Sequence, residues 1–303
     1  MSEQQQMAVF DRPAVRRQRD RAAAGLAAYD FLLREVADRL ADRLLDIARP
    51  FPLALELGAH GGQFAETRGS RGGIERLVQA DLSPGMLRRA AGSRVACDEE
   101  RLPFADASFD LVLSCLSLHW VNDLPGALMQ IRRCLKPDGL FQAAMLGEET
   151  LTELRQALLS AEIELSGGAS PRVSPFVTMR DAGGLLQRAG FALPVVDSDR
   201  LTLTYAEPFS LMRELRGLGE SNALNQRSRT PARRALFARA AALYHERFAD
   251  AEGRIPATFD VVYLTGWAPH ASQQQPLKPG SASGRLADAL GVEERPAGEK
   301  TGG

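Results

Sequence analysis

Leu53-Ala54-Leu55-Glu56-Leu57-Gly58-Ala59-His60-Gly61-Gly62 is a short apolar run that stops at a glycine-rich turn, with a polar, helix-compatible segment from Gln63 onward. A strand feeding such a turn aims backbone N–H groups at the carboxyl edge of a parallel sheet, where open α/β sheets bind ligands. Glu56 stands just before the first glycine. A carboxylate there repels a dinucleotide pyrophosphate and attracts a ligand carrying an ammonium and a sulfonium. The spacing also fails the dinucleotide fingerprint, because Gly58-Ala59-His60-Gly61-Gly62-Gln63 does not fit G-x-G-x-x-G. The stretch therefore asks for a cationic, nucleoside-containing cofactor, of which S-adenosylmethionine is the common example.

Downstream, apolar strands and helices alternate. Arg76 to Ala80 reads as a second strand ending at Asp81, and Ser83-Pro84 as the cap and first position of a helix through Met86 and Ala90. Arg94 to Cys97 is a third strand ending at Asp98-Glu99-Glu100, and Phe109 to Ser114 a fourth. A helix over 124–135 stops at Lys136-Pro137-Asp138-Gly139, and Leu140 to Leu146 is the fifth strand. Strands dominated by apolar residues suit a parallel sheet covered on both faces. Thr150 to Leu165 is a periodic helix; Asp181 to Ala189 is another. Phe191 to Val196 and Leu201 to Tyr205 read as strand material, 207–250 as a helical insertion, and Thr258 to Trp267 as the last strand. The pattern predicts a doubly wound α/β sheet.

Upstream, residues 9–48 read as helical, with apolar positions from Leu26 to Leu45 recurring at spacings near three and four. Arg12, Arg16, Arg17, Arg19 and Arg21 crowd its first turns. They are either a solvated helix face or an electropositive cover over an anionic substrate or a cofactor carboxylate. The tail from Ala271, rich in glycine, proline, serine and glutamine apart from a weak helix at 286–290, is expected to be flexible.

Charge and cysteines exclude more than they select. In 303 residues, 37 basic side chains balance 38 acidic ones, so no global field draws the protein to nucleic acid or to an anionic membrane. Cys97, Cys115 and Cys134 have neither paired nor metal-type spacing and read as reduced, buried thiols. There is no Ser-His-Asp or Cys-His arrangement and no metal-ligand spacing. Without a membrane-spanning apolar run or a secretory core at the N-terminus, a cytoplasmic protein is expected.

Three acids stand at successive strand ends: Glu56, Asp81, and Asp98 with Glu99. An acid after the second strand can accept both ribose hydroxyls, and one after the third the exocyclic amine of adenine. In this order the residues resemble the class I S-adenosylmethionine-dependent methyltransferase superfamily, type 11 branch. The resemblance covers residues 53–146 and rests on Glu56-Leu57-Gly58-Ala59-His60-Gly61-Gly62, Asp81-Leu82-Ser83-Pro84-Gly85-Met86, Leu102 to Asp110, and Leu135-Lys136-Pro137-Asp138-Gly139. It implies a Rossmann-like seven-stranded sheet with helices on both faces and S-adenosylmethionine as cofactor. Glu56, Gly58 and Gly62 are then expected at the methionine portion, Asp81 at the ribose, Asp98 and Glu99 at the adenine, and Ser114 at the reacting end. His60, Leu82 and Met86 complete the expected cofactor set. His60 replaces a glycine of the branch; either the turn opens and His60 points to solvent, or its imidazole joins the site.

A resemblance over nearly the whole chain rests on Val9-Phe10-Asp11-Arg12, Arg16 to Arg21, Ser117-Leu118-His119-Trp120-Val121-Asn122-Asp123-Leu124-Pro125-Gly126, Ser170 to Phe176 and Tyr263 to His270. These look like the bacterial relatives of the mitochondrial complex I assembly factor of methyltransferase fold. The resemblance implies hydroxylation of an arginine in a complex I subunit, and a protein peripheral to the inner membrane through that substrate. The malonyl-carrier-protein carboxyl methyltransferases share the core and the Leu118-His119-Trp120 neighbourhood. His119 is the candidate catalytic group, as a general base or substrate-orienting donor; the plainer alternative is a packing lid formed with Trp120. The expected organisation is a helical cover at 1–48, a methyltransferase-fold domain at 49–270 with its insertion at 207–250, and a tail at 271–303. A carboxyl methyltransferase and a non-catalytic assembly chaperone are the competing readings.

Overall fold

In the computed structural model, which describes residues 8–168, 170–228 and 230–274 with Gly284, Asp288, Gly291 and Val292, apolar runs pair side by side. The elements below all belong to the unit Met1–Pro269; His270–Gly303 are a separate unit. The expectations of a flexible tail at 271–303 and a helix at 286–290 fall mostly outside the described residues.

Strands β1 (Leu53–Leu57), β2 (Arg76–Asp81), β3 (Ser93–Ala96), β4 (Phe109–Cys115), β5 (Leu135–Leu146), β6 (Ala192–Tyr205) and β7 (Ile255–Trp267) form one sheet, in the order β3-β2-β1-β4-β5-β7-β6. The β1–β2, β1–β4, β2–β3 and β4–β5 pairs are parallel, while β7 is antiparallel to β5 and β6. The chain winds outward from β1 to β3, then restarts at β4 on the other side of β1. That reversal opens a crevice beyond the carboxyl ends of β1 and β4. In register, Leu57 lies opposite Ala80 on one side and Ser114 on the other, which brings Glu56, Asp81 and Ser114 to one edge.

Helices cover both faces. On one, α1 (Arg12–Ala22) and α2 (Phe31–Asp42) precede the sheet, and α2 buries Leu32, Leu33, Val36, Ala37, Leu40 and Ala41, the stripe expected of a core-facing helix. Two short helices follow β1 and β2: α3 (Gln63–Thr67) and α4 (Pro84–Leu87). On the other face, α5 (Leu124–Cys134) and, beyond α6 (Thr152–Ser166), α7 (Met179–Arg188) bury Leu128, Ile131, Leu185 and Leu186. Helices α8 (Pro208–Leu218) and α9 (Arg234–Phe248) lie between β6 and β7 and join α2 and α6 on the first face.

Several sequence expectations need correction. The late strand material is one strand, β6, because Val195 to Tyr205 pair without a break with β7, with an irregularity between Ala192 and Val195. The turn expected before β5 is absorbed into its irregular start, where Asp138 has φ 61° and the register with β4 shifts. The N-terminal helical stretch is broken: 3₁₀ turns at Ala23–Ala28 and Arg43–Asp46 flank α2. Strand β3 is an exposed edge, so burial of Cys97 is incomplete. Among the described residues no helix is long and apolar enough to cross a membrane.

Candidate functional site

The turn after β1 is held from both sides. Gly58 has φ +69°, and a Cβ on it would collide with the Ser117 side chain, so only glycine lets the loop after β4 lie against the β1 turn. Its N–H bonds the Ala80 carbonyl at 2.8 Å. Gly62 backs onto Gln79 and Ala90. His60 is buried, contrary to the solvent-facing alternative. Its φ is 48°, and its Nε2 lies 3.2 Å from the carbonyls of both Cys115 and Leu116. Two carbonyl acceptors require Nε2–H, which leaves Nδ1 as an unpartnered acceptor. Burial, and then the nearby Arg19 charge, push the imidazole below its ordinary pKa.

Asp81 is fixed by its neighbours: one carboxylate oxygen accepts the His60 N–H at 3.0 Å and the other the Ser83 N–H at 2.7 Å. Leu82 packs beside Phe10, Val15 and Trp120. Met86 is fully buried in the core with Leu26 and Phe64, so its side chain supports the edge from beneath. Glu56 is 1% exposed, and its Oε2 has no hydrogen-bond partner. Burial drives its pKa well above the usual range, and the charge of Asp81 drives it further. Ser114 Oγ is likewise buried and unpartnered. A ligand presenting an ammonium and hydroxyls at this edge would satisfy these orphaned atoms, which is the donor set S-adenosylmethionine brings; the residues present fit that group.

The arginines of α1 divide sharply. Arg16, Arg17 and Arg21 are exposed, whereas Arg12 and Arg19 are buried with Val15 and Ala22 on the same helix face. Arg12 pairs with Asp98 at 2.6 Å and with Glu99, and donates to the Trp120 carbonyl at 3.2 Å. Arg19 donates through both terminal nitrogens to Ser117 Oγ at 3.1 Å. Ser117 in turn donates to Glu99 at 2.8 Å. Burial alone would raise the Glu99 carboxyl, but Arg12, Arg19 and the Ser117 hydroxyl outweigh it and hold it below the usual range. The acids expected to read the nucleoside thus carry the N-terminal helix across the sheet edge. Helix α1 is also tied to the loop after α8 by Asp11 N–H to the Ala223 carbonyl at 2.8 Å and by the Arg227–Asp11 pair at 2.7 Å.

Beyond the carboxyl ends of β4 and β5 lies a cavity of about 260 Å³. Its walls are mostly leucine and phenylalanine, among them Leu33, Leu116, Leu154, Leu158, Phe237 and Phe259. His119 and Glu220 face it together, His119 Nε2 lying 3.3 Å from Glu220 Oε2. The same oxygen accepts Trp120 Nε1–H at 2.6 Å. Burial would raise the Glu220 carboxyl, but the His119 hydrogen bond and nearby cations keep it below the usual range and ionised. His119 Nδ1 has no partner. Arg172 and Arg216 also line the cavity, Arg172 already paired with Glu162 at 2.6 Å.

Arg12 and Arg19 stood in the sequence only among five arginines, as a solvated face or an electropositive cover, and Ser117 and Glu220 were not singled out as site residues. The spacing Arg12, Val15, Arg19, Ala22 carried a signal, since those positions share one helical face. Glu220 carried none: its partner Trp120 is 100 residues away. Burial pushes the Cys97 thiol up to about 12 and raises Cys115 as well. Among the described residues, no three His, Cys, Asp or Glu side chains converge as a metal site would.

The chain matches the family model described as methyltransferase domain over residues 55–143. It is 47% identical over 294 residues to arginine-hydroxylase NDUFAF5, mitochondrial, of Danio rerio, covering 95% of this chain and 91% of that protein. Malonyl-(acyl-carrier protein) O-methyltransferase of Laribacter hongkongensis is 38% identical over 287 residues, covering 89% of this chain and 94% of that protein. In solved structures, phosphoethanolamine N-methyltransferase 2 of Haemonchus contortus, with phosphomonomethylethanolamine and S-adenosylhomocysteine, superposes with a TM-score of 0.52 at 17% identity. That match covers 84% of this chain and 60% of that one, a likeness of fold. The chain therefore belongs to the methyltransferase superfamily of enzymes, alongside the arginine-hydroxylase NDUFAF5 proteins and the malonyl-(acyl-carrier protein) O-methyltransferases.

Proposed function

We propose that the protein is an S-adenosylmethionine-binding enzyme that hydroxylates an arginine side chain of a respiratory complex I subunit. The observation that carries this reading is the 47% identity to an arginine hydroxylase over 95% of the chain. Similarity of that extent reaches far outside residues 55–143, into the segments that wall the cavity beside His119. In this reading the enzyme is cytoplasmic and meets its substrate subunit at the inner membrane.

The chain's own residues suit the roles. Glu56, ionised by contact with an ammonium, holds the amino-acid end of the cofactor; Asp81, oriented by two backbone N–H groups, keeps lone pairs free for ribose hydroxyls. Asp98, the more exposed acid of the pair after β3, takes the adenine amine. When bound, S-adenosylmethionine supplies a sulfonium cation and a transferable methyl group. On the cavity side, the Glu220 carboxylate is a partner for a guanidinium. With Nε2–H donating to Glu220, His119 Nδ1 can accept a proton from the substrate. Hydroxylation converts C–H to C–OH, so it needs dioxygen together with a two-electron reductant, the second oxygen atom leaving as water.

A second reading has an observation of its own. The leucine-rich walls with Arg172 and Arg216 among them suit an acyl chain ending in a carboxyl, as a carboxyl O-methyltransferase needs. One experiment separates the readings. The protein is incubated with isotopically labelled S-adenosylmethionine, dioxygen, a two-electron reductant and the organism's own complex I subunit, then with malonyl-loaded carrier protein, and the products are analysed by peptide mass. A gain of one oxygen on an arginine supports the proposal. A labelled methyl on the malonyl carboxyl replaces it with the second reading. An unmodified subunit in a stable complex makes the protein an assembly chaperone.

A further inference from the structure

Arg19 is 0% exposed, yet most of its hydrogen-bonding capacity is unspent. A guanidinium carries a planar fork of N–H donors. Among the described residues its only hydrogen-bond acceptor is Ser117 Oγ, shared by the two terminal nitrogens at 3.1 Å, and Nε has no partner. The carboxylates of Asp81, Glu99 and Glu220 stand 3.5, 3.8 and 4.0 Å away. They balance its charge without forming hydrogen bonds. Leaving buried donors unpaired is costly unless a ligand completes them.

Glu56 is the opposite case on the other side of the same contact. Its buried Oε2 lacks a donor, and Gly58, just beyond it on the turn, touches the side chain of the serine that Arg19 holds. One buried cation short of acceptors and one buried carboxylate short of donors flank the Gly58–Ser117 contact. That is the complement of a zwitterion. Arg12, the other buried cation at this edge, is already taken by Asp98, Glu99 and the Trp120 carbonyl. Both terminal nitrogens converge on that one hydroxyl oxygen, so the fork still lacks the second acceptor that the two oxygens of a carboxylate would supply.

We infer that Arg19 binds the α-carboxylate of the cofactor's methionine portion, with Glu56 taking its ammonium and Ser117 Oγ occupying the carboxylate's place until the cofactor arrives. This rests on the reading that S-adenosylmethionine is the cofactor. Arg19 lies outside residues 55–143, so the site for the amino-acid end is completed by a helix that the matched methyltransferase core does not contain.

The test is calorimetric binding of S-adenosylmethionine and of its decarboxylated analogue, which keeps the sulfonium, ribose and adenine and lacks only the carboxylate. Wild type is expected to prefer S-adenosylmethionine by about tenfold or more. Arg19→Gln should bind the two ligands alike, its loss confined to S-adenosylmethionine, and Arg19→Lys should restore part of the preference. Arg16→Gln, on the exposed face of the same helix, should behave as wild type. Equal binding of both ligands by wild type overturns the inference while leaving the cofactor assignment standing, and needs no variant that might fail to fold. So does an Arg19→Gln protein that folds by circular dichroism and loses both ligands equally. Binding of neither ligand to wild type removes the cofactor assignment itself, and the inference with it.

Discussion

The two ends of one sheet edge are built from opposite materials. Beyond β1, β2 and β3 stand buried acids: Glu56, whose Oε2 has no partner, and Asp81 and Glu99, bridged by Arg19 with Arg12 also on Glu99. Beyond β4 and β5 lies a cavity walled by hydrocarbon, with Glu220 and His119 as its main polar pair. A charged edge fixes its ligand through directional contacts that are costly when left unpaired. An apolar cavity fixes shape and excludes water, and leaves orientation to few groups. The contrast gives the edge the task of holding a charged nucleoside, and gives the cavity the task of admitting a substrate to it.

The largest effect should come from breaking the charged end. Arg12→Met removes the close partner of half-buried Asp98 and leaves buried Glu99 with only Arg19, 3.8 Å away, as its counter-charge. Urea unfolding should show a loss of about 3–5 kcal/mol, as expected when one partner of a buried pair is removed. Arg16→Met on the exposed face should stay within about 0.5 kcal/mol. A loss for Arg12→Met no larger than that of Arg16→Met would mean that α1 does not lock the sheet edge, and the contrast between the two ends would fail.

The apolar end should answer differently. Leu158→Ala enlarges a cavity that already exists, so the cost should sit at the low end of the range for core leucines, about 2–3 kcal/mol. Affinity for S-adenosylmethionine should stay within about twofold, since no directional contact is lost. A parallel fall in stability and cofactor affinity would make the two ends a single site.

The same contrast explains what could be read from sequence. The parallel core was legible because β1, β4 and the latter part of β5 are apolar runs and an acid stands at or just past the end of β1, β2 and β3; Glu56, Asp81 and Asp98 are local signals. The cavity was not, because its walls come from α2, α6, α8, α9 and β7, brought together only by packing. Glu220 has no local pattern at all. Arg12 and Arg19 were half legible: their spacing with Val15 and Ala22 marks an inward face, but an arginine run without its partners in view looks solvated. His60 was ambiguous because its acceptors, the Cys115 and Leu116 carbonyls, belong to the next turn of the sheet.

Glu56→Gln probes the charged end most finely, because it should move stability and binding in opposite directions. The folded protein raises the pKa of Glu56 through burial and then through Asp81. Between the ordinary carboxylate value and the raised one, the unfolded chain has released this proton and the folded chain retains it. The folded state then binds more protons, so the contribution of Glu56 to stability is full at low pH and is lost as pH rises through the raised pKa. Glu99 and Glu220 act with the opposite sign: their pKa values are lowered, and their contribution is lost as pH falls through the carboxylate range. Removing the Glu56 charge should therefore leave the acid limb unchanged and flatten the decline on the alkaline side. At pH ~8 the ligand-free variant should be more stable by about 1–2 kcal/mol, the cost of an unsatisfied buried polar group, which raises Tm by about 2–4 °C per kcal/mol. With the ammonium's partner neutralised, affinity for S-adenosylmethionine should fall about tenfold. Thermal melts across pH, with and without cofactor, read both effects in one series. If the ligand-free variant melts lower than wild type at every pH, Glu56 is a structural acid with a donor of its own, and the charged end is complete without a ligand.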